Sequence, residues 1–355
     1  MPVDSAAVPA LGIGDTLPPV TLRDSHGEEI FFRSDRLAGN PIVIALCADA
    51  ASETARMLLA RLGETMKGLR DPLVCAFLVA PAPWPEGLVP GIDTRRNLRL
   101  LTDPGTLLRV RTRSGAEHAP AYLLVAGPDG RIIRGHALTP ETLETRIGEA
   151  IDAARGAVTR AEPVAAVPHP PVIPIPLVLE PSLARALIDH FNTDVPIWPK
   201  TGLKSAGFDA ERGDFKVREE GPGGRLTEFV LRSEGLVSAL SERFRTRVVP
   251  EIAKAFGMTV SRQEPFRIVR YEGLEGGHVL PHRDTGAPGT EHRKCTISIV
   301  LNTGDFEGGW LRFPEYGPQA YALPVGTGVV WSAQLLHEVT PVTRGERYML
   351  GAHLF

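Results

Sequence analysis

Residues 161–176 read AEPVAAVPHPPVIPIP, and the six prolines in this stretch constrain the chain more than any other feature. Each proline removes a backbone donor and biases the residue before it toward extended conformations. Neither a helix nor a central strand survives that density, so a stiff, partly polyproline-like linker is expected. A chain of 355 residues is also too long for one ordinary core. The expectation is therefore two domains, 1–152 and 179–355, joined by a linker over 153–178.

Upstream of the prolines, strand and helix patterns alternate. PIVIALCA (41–48) and PLVCAFLVA (72–80) are short apolar runs, as expected for strands buried on both faces. SETARMLLARLGETMKGL between them has helical spacing, with Ser52 as N-cap. AYLLVAGPDGRIIRG reads as two strands around a Gly-Pro-Asp-Gly turn, and TPETLETRIGEAIDAA as an amphipathic helix. This is an α/β layer arrangement. Downstream, two helices, SLARALIDHFN and GLVSALSERFRTRVVPEIAKAF, precede FRIVRY, HVLPHRD, CTISIVLN, GGWLRFP, GTGVVWSA and RYMLGAHLF. Short strands at regular spacing predict a sandwich or open barrel.

Composition narrows the class. The formal charge of -3 gives no electrostatic reason to expect nucleic acid or a membrane surface as partner. Cys47, Cys75 and Cys295 lie far apart without zinc-type spacing, which favours a reducing compartment over a disulfide framework. MPVDSAAVPALG has no secretory pattern and no apolar run is long enough to span a bilayer, so a cytoplasmic location is expected.

The chemistry-bearing stretch is VLPHRDTGAPG, residues 279–289. In a strand, positions i and i+2 share a face, so His282 and Asp284 can offer an imidazole nitrogen and a carboxylate oxygen to one ion. A chance pair of this kind is expected in such a chain, and His26-Gly-Glu28 reads as one, in a surface turn. WSAQLLHEVTPV adds His337 on another predicted strand, 53 positions after Asp284. Two histidines and one carboxylate leave three positions of an octahedral ion open, the facial arrangement of non-haem Fe(II) oxygenases. Arg347 follows ten residues after His337, where a buried guanidinium could grip a carboxylate through two parallel hydrogen bonds; Arg344 is the competing candidate. On CTISIVLN, Thr296 and Ser298 face opposite to Cys295, Ile297 and Ile299, and either hydroxyl could reach that carboxylate. By alternation His278 and His353 could also face the site, with a structural role the expectation for each. HEVTP is not HExxH, which excludes a helical zinc-protease site.

From about residue 178 onward, these residues resemble the prolyl 4-hydroxylase type of Fe(II)/2-oxoglutarate dioxygenase. The resemblance implies a double-stranded β-helix (jelly roll) of α+β class with flanking helices. It assigns His282, Asp284 and His337 to Fe(II), Arg347 to 2-oxoglutarate, and Tyr271, in RYEGLEGGHVLPHRD, to contact with the co-substrate. FEGGWLRFPEYG and HEVTPVTRGERY also read like family segments. The implied reaction consumes O2, converts 2-oxoglutarate to succinate and CO2, and hydroxylates a C–H bond of a protein (prolyl among the candidates) or a small molecule. Ascorbate is the implied reductant. Asp284 sets the chain apart from halogenating relatives, which lack a carboxylate there. KSAGFDAERGDFKVREEGPGGR (204–225) reads as a loop, either over the site or on the plain surface.

Roughly residues 10–152 resemble a peroxiredoxin or thioredoxin fold. GIGDTLPPVTLRDSHGEEI matches the opening, PIVIALCADAASETARMLL the first central strand and helix, and HAPAYLLVAGPDG a segment in which Pro120 would be cis. The attacking cysteine of that family sits where the helix begins; here that region reads Ala48-Asp-Ala-Ala-Ser52. Cys47 lies too early and Cys75 falls inside an apolar run, so a degenerate module without a peroxidatic cysteine is expected. Two rival readings follow. One makes the front domain the working part, as a redoxin-like binding module, and the oxygenase fold inactive; the intact ligand set argues against it. The other is an AlkB-like nucleic-acid demethylase, disfavoured by the short gap from His337 to Arg347 and the lack of a basic stripe. A homo-oligomer is compatible with the sequence, which does not name the substrate.

Overall fold

The computed structural model describes residues 11–32, 34, 37–68, 74–85, 98–105, 107–108, 119–158, 169–194, 206–209, 214–217, 226–285 and 288–355. The chain divides into two compact units, Met1–Pro163 and Val164–Phe355. Residues 1–10 and 159–168, which carry the N-terminal reading and the first half of the proline-rich stretch, lie outside the described residues.

The first unit is built on a seven-stranded mixed sheet. Its elements are β1 (Thr21–Asp24), β2 (Glu29–Phe31), β3 (Ile42–Cys47), α1 (Glu53–Gly68), β4 (Cys75–Ala80), β5 (Leu98–Thr102), β6 (Ala121–Ala126), β7 (Ile132–Leu138) and α2 (Leu143–Ala157). The strand order is β2-β1-β5-β4-β3-β6-β7. The pairs β3–β4 and β4–β5 are parallel, whereas β3–β6 and β6–β7 are antiparallel. Val43, Ala45 and Cys47 of β3 pack with Leu58 and Leu62 of α1 and Ile147 and Ile151 of α2. Ile42 and Ile44 point into a second apolar layer with Leu17, Phe32 and Phe77. Burial on both faces explains why these strands read as unbroken apolar runs. Ser52 caps α1 as expected, its Oγ accepting from the Ala55 amide at 3.1 Å. The Ala119–Pro120 bond is not cis; no cis peptide occurs among the described residues, which corrects the expectation for Pro120. In the His26-Gly-Glu28 turn, Asp24 Oδ1 accepts from the His26 and Glu28 amides at 2.9 and 2.8 Å, so that pair marks a turn.

The second unit comprises β8 (Ile173–Ile175), α3 (Pro181–Asp194), β9 (Ala206–Asp209), β10 (Asp214–Val217), β11 (Leu226–Val230), α4 (Glu234–Arg243), α5 (Val249–Phe256), β12 (Arg267–Glu272), β13 (Val279–His282), β14 (Cys295–Val300), β15 (Phe306–Gly308), β16 (Leu311–Arg312), β17 (Ala320–Tyr321), β18 (Gly328–Ser332), β19 (His337–Val339) and β20 (Val342–Leu354). A large antiparallel sheet, β11-β12-β20-β14-β18-β8, accompanies a smaller one, β13-β19-β16-β17, in a double-stranded β-helix. Phe191, Leu240, Phe244 and Ile252 of the helices pack on Ile268, Cys295, Ile297, Ile299 and Leu350 of the large sheet. Full burial of each such side chain stabilises by about 1.5–3 kcal/mol. The alternate residues of β14, Thr296 and Ser298, face the other way, as the period of two requires.

Three local features depart from the sequence reading. The long helix expected before the strands is interrupted by a π turn at Phe244–Val248, just ahead of Pro250. Proline lacks the amide that would continue the ladder and crowds the carbonyl four residues back, which accounts for the wider turn. The linker assigned to 153–178 is shorter at both ends: α2 runs to Ala157, and Ile173–Ile175 pairs with β18. As β8 is an edge strand, Pro174 costs the ladder nothing on its solvent side. Within 204–225, β9 and β10 pair antiparallel rather than forming a plain loop, and the remaining positions lie outside the described residues.

Candidate metal centre

β13 ends at His282, Asp284 follows two residues later, and β19 begins at His337, whose Cα partners that of His282. Pairing of these two short strands is what turns the 53 positions between Asp284 and His337 into a cluster. One ligand atom from each of His282, Asp284 and His337 lies within 4.8 Å of the others. His282 Nε2 is 3.6 Å from Asp284 Oδ1, and His337 Nε2 is 3.5 Å from Asp284 Oδ2. Adjacent donors on a first-row ion lie roughly 3 Å apart, so a small inward movement suffices to close the set on a cation.

The tautomers are set by what the other ring nitrogens touch. Nδ1 of His282 lies 2.9 Å from the Leu280 carbonyl, and Nδ1 of His337 lies 3.0 Å from the Leu335 carbonyl. A carbonyl only accepts, so each Nδ1 carries the proton and each Nε2 turns a lone pair to the cluster. Asp284 is held in turn: Thr296 Oγ1 donates to its Oδ2 at 2.6 Å. Burial works to raise the Asp284 carboxyl, but the His282 contact, the neighbouring His337 and His353 imidazoles, and the Thr296 hydroxyl outweigh it and hold it well below the usual range. The Asp284 contact raises His282, whereas burial lowers His337, which packs 4.9 Å from the Trp331 ring. Two imidazole lone pairs and an ionised carboxylate facing one another form a donor set suited to a divalent ion.

Arg347 lies on β20 beside Tyr271 of β12, its Cα partner. Its guanidinium carbon sits 5.0 Å over the Tyr271 ring, the side chain is 2% exposed, and Nη1 has no hydrogen-bond partner. Among the described residues no carboxylate neutralises it. Burial lowers its pKa, partly offset by Tyr271. An unpaired buried charge costs several kcal/mol, and a ligand carboxylate would remove that cost. Its surroundings are shaped for the guanidinium. A Cβ on Gly309 (φ +65°) would stand 2.8 Å from Arg347 Cδ. Asn302 donates to the Glu346 carbonyl at 2.7 Å and accepts from the Tyr348 amide at 2.8 Å, bracketing Arg347 along the strand. Arg344 is excluded by its exposure and its ion pair with Glu307 at 2.6 Å.

The remaining candidates divide. Tyr271 is buried against Arg347 and donates to Met349 Sδ at 3.7 Å. Thr296 serves Asp284, while Ser298 Oγ contacts Met349 Sδ at 3.4 Å. His353 lies 3.0 Å from the Thr296 hydroxyl through Nδ1, which gives it a closer tie to the cluster than the expected structural role. His278 keeps its Nδ1 on the Gly276 carbonyl at 2.6 Å. Sequence reasoning missed Gly309, Asn302 and Met349; the Gly-Gly doublet and the alternation of β20 were the available signals.

Residues 266–354 match the 2OG-Fe(II) oxygenase superfamily. The second unit carries a 2OG-Fe(II) oxygenase domain. The matched span holds all three clustered ligands and Arg347. A PKHD-type hydroxylase of Nitrobacter winogradskyi is 33% identical over 157 residues, covering 41% of this chain and 62% of that protein. One from Xanthomonas axonopodis pv. citri is 29% identical over 192 residues, covering 50% and 75%. The chain thus spans less than two thirds of the first of these relatives. A crystal structure of a Pseudomonas putida prolyl-4-hydroxylase shares 19% identity, covers 52% of this chain and 91% of its own, and has a TM-score of 0.38. Among the described residues no helix is long and apolar enough to cross a membrane.

Proposed function

We propose that this protein is an Fe(II)- and 2-oxoglutarate-dependent dioxygenase that hydroxylates a C–H bond of a protein or small-molecule substrate, a prolyl side chain being the first candidate. His282, Asp284 and His337 would hold the iron, and Arg347 the distal carboxylate of 2-oxoglutarate. When bound, iron supplies the redox chemistry that couples oxidative decarboxylation of 2-oxoglutarate, giving succinate and CO2, to hydroxylation. The chain's own residues position and select. Arg347 would meet a carboxylate with paired donors, the Tyr271 ring supports its guanidinium, and the buried wall around His337 would exclude water. The observation that carries the reading is the buried Arg347 guanidinium, its Nη1 without a hydrogen-bond partner, inside the same fold as a His-Asp-His cluster. Ascorbate is the reductant we expect to restore iron after unproductive turnover.

We further infer that the first unit is a thioredoxin-like module without peroxidase chemistry. Its β3-α1-β4 parallel unit followed by β6-β7-α2 supports the fold. Cys47 is buried at the strand end, and burial together with Asp49 pushes it up to about 12, which argues against a reactive thiolate.

The test is succinate release by anaerobically iron-loaded protein given 2-oxoglutarate, O2 and candidate peptides. His282→Ala should lose turnover entirely, and a chelator should abolish it in the unmodified protein. Full turnover by His282→Ala would remove the mechanism.

A further inference from the structure

Asp284 is anchored at three points. Its amide donates to the Ala333 carbonyl at 3.1 Å, and its carbonyl accepts from Arg293 Nη1 at 3.0 Å. Arg293 is itself clamped by Glu264, through Nε to Oε1 at 2.6 Å and Nη2 to Oε2 at 2.9 Å. These contacts fix the main chain. The carboxylate is fixed separately, by Thr296 Oγ1 at 2.6 Å from Oδ2, and Thr296 in turn meets His353 Nδ1 at 3.0 Å.

Proton bookkeeping gives this second chain a direction. An ionised carboxylate only accepts, so the single Thr296 hydroxyl proton goes to Asp284. The Thr296 oxygen is then left as acceptor toward His353, and Nδ1 must carry a proton. The residues sit where the fold can hold them: Thr296 and His353 are Cα partners on the adjacent central strands β14 and β20. Thr296 is buried, so the distance from strand to carboxylate is set by the sheet rather than by a mobile side chain. Hydrogen bonds of this kind orient a ligand and occupy the lone pair that would otherwise rotate onto the metal.

We propose that Thr296 and His353 are positioning residues, a directed relay (His353 Nδ1–H to Thr296 Oγ1–H to Asp284 Oδ2) that holds the carboxylate in one orientation for the ion. The proposal rests on the metal-centre reading above. It predicts that metal affinity depends on the hydroxyl and on a donor at position 353, and not on side-chain volume at either position. It also predicts that the hydrogen bond donated by His353 acts through Thr296.

The test measures binding of Co(II) or Mn(II) to the full chain by calorimetry without O2, alongside thermal unfolding of the metal-free protein. Thr296→Val should weaken metal binding by about 10- to 100-fold, and Thr296→Ser should restore it to within about threefold, on the same principle that the hydroxyl carries the effect. His353→Leu should weaken it by a smaller factor. His353→Asn, which can present an N–H near the Nδ1 position, should restore it. In the Thr296→Val background, His353→Leu should add nothing further. Equal binding by Thr296→Val and Thr296→Ser, or an undiminished His353→Leu effect in that background, overturns the relay. Should Thr296→Val not fold, the same decision comes from His353→Asn against His353→Leu: equal affinities overturn it. Failure of the unmodified protein to bind either ion removes the metal-centre reading itself, a result distinct from failure of the relay alone.

Discussion

Arg247 and Arg347 are equally buried, each 2% exposed, on opposite sides of the large sheet of the second unit, yet their surroundings differ. Arg247, in the π turn beneath the helices, donates through Nη1 to the Leu177 and Val178 carbonyls at 3.0 and 3.2 Å, and through Nη2 to Glu180 at 2.9 Å. Arg347 has an aromatic face, no carboxylate among the described residues, and an unsatisfied Nη1. A buried charge satisfied within its own chain is scaffold. One left incomplete carries a cost that an arriving carboxylate would remove, as proposed above.

The comparison breaks most directly at Arg347. Arg347→Met should raise the Kd for 2-oxoglutarate by about 100- to 1000-fold, the loss expected when a buried charge partner is removed. Its thermal midpoint should hold or rise, since an uncompensated charge leaves the interior. Calorimetry and thermal denaturation read the two effects; an unchanged Kd would make Arg347 a structural residue like Arg247.

Arg247→Met should do the reverse. It strips Glu180 of its partner at 2.9 Å and takes the guanidinium away from two carbonyls, costing about 3 kcal/mol in urea unfolding. Its affinity for 2-oxoglutarate should not change. A shift in that affinity would show that the two sides of the sheet are coupled.

A pH series sharpens the same contrast. Burial works to raise the Glu180 carboxyl, but Arg247 and Arg243 outweigh it and lower it from 4.5 to about 2. A depressed folded pKa gives stability that is fully present above the unfolded value and lost as pH falls through the folded one. The stability gap between the unmodified protein and Glu180→Gln should therefore narrow from pH 4.5 toward 2, measured by urea unfolding at each pH. A gap constant with pH would mean that the pair contributes by shape alone. The smallest effect is expected in the first unit, where Cys47→Ala should leave peroxide consumption unchanged from a negligible level.

The cluster was legible because metal chemistry needs particular residue types and strand alternation fixes their common face. His282, Asp284, His337 and Arg347 could be read that way, and so could Ser52 as a cap. What decided the rest was tertiary. No local pattern says that Thr296 rather than Ser298 reaches Asp284; the register of β14 against the loop after β13 does. Nor could the sequence reveal that Pro174 sits on an edge strand, where a proline is tolerated, since edge position depends on the order of all strands. Pro120 misled because its neighbours resembled a family segment, and resemblance of a segment does not transmit the conformation of one peptide bond.

The two imidazoles are not equivalent. His337 is walled in beside Trp331, whereas the side chain of His282 is 42% exposed on a margin strand of 4 residues. Loading and loss of a cation should therefore begin at His282, the hinged side of the clasp, while His337 and Asp284 stay as the fixed jaw. Any ion held here and any molecule approaching it would then share one doorway, and a tightly seated molecule would slow the escape of the ion behind it.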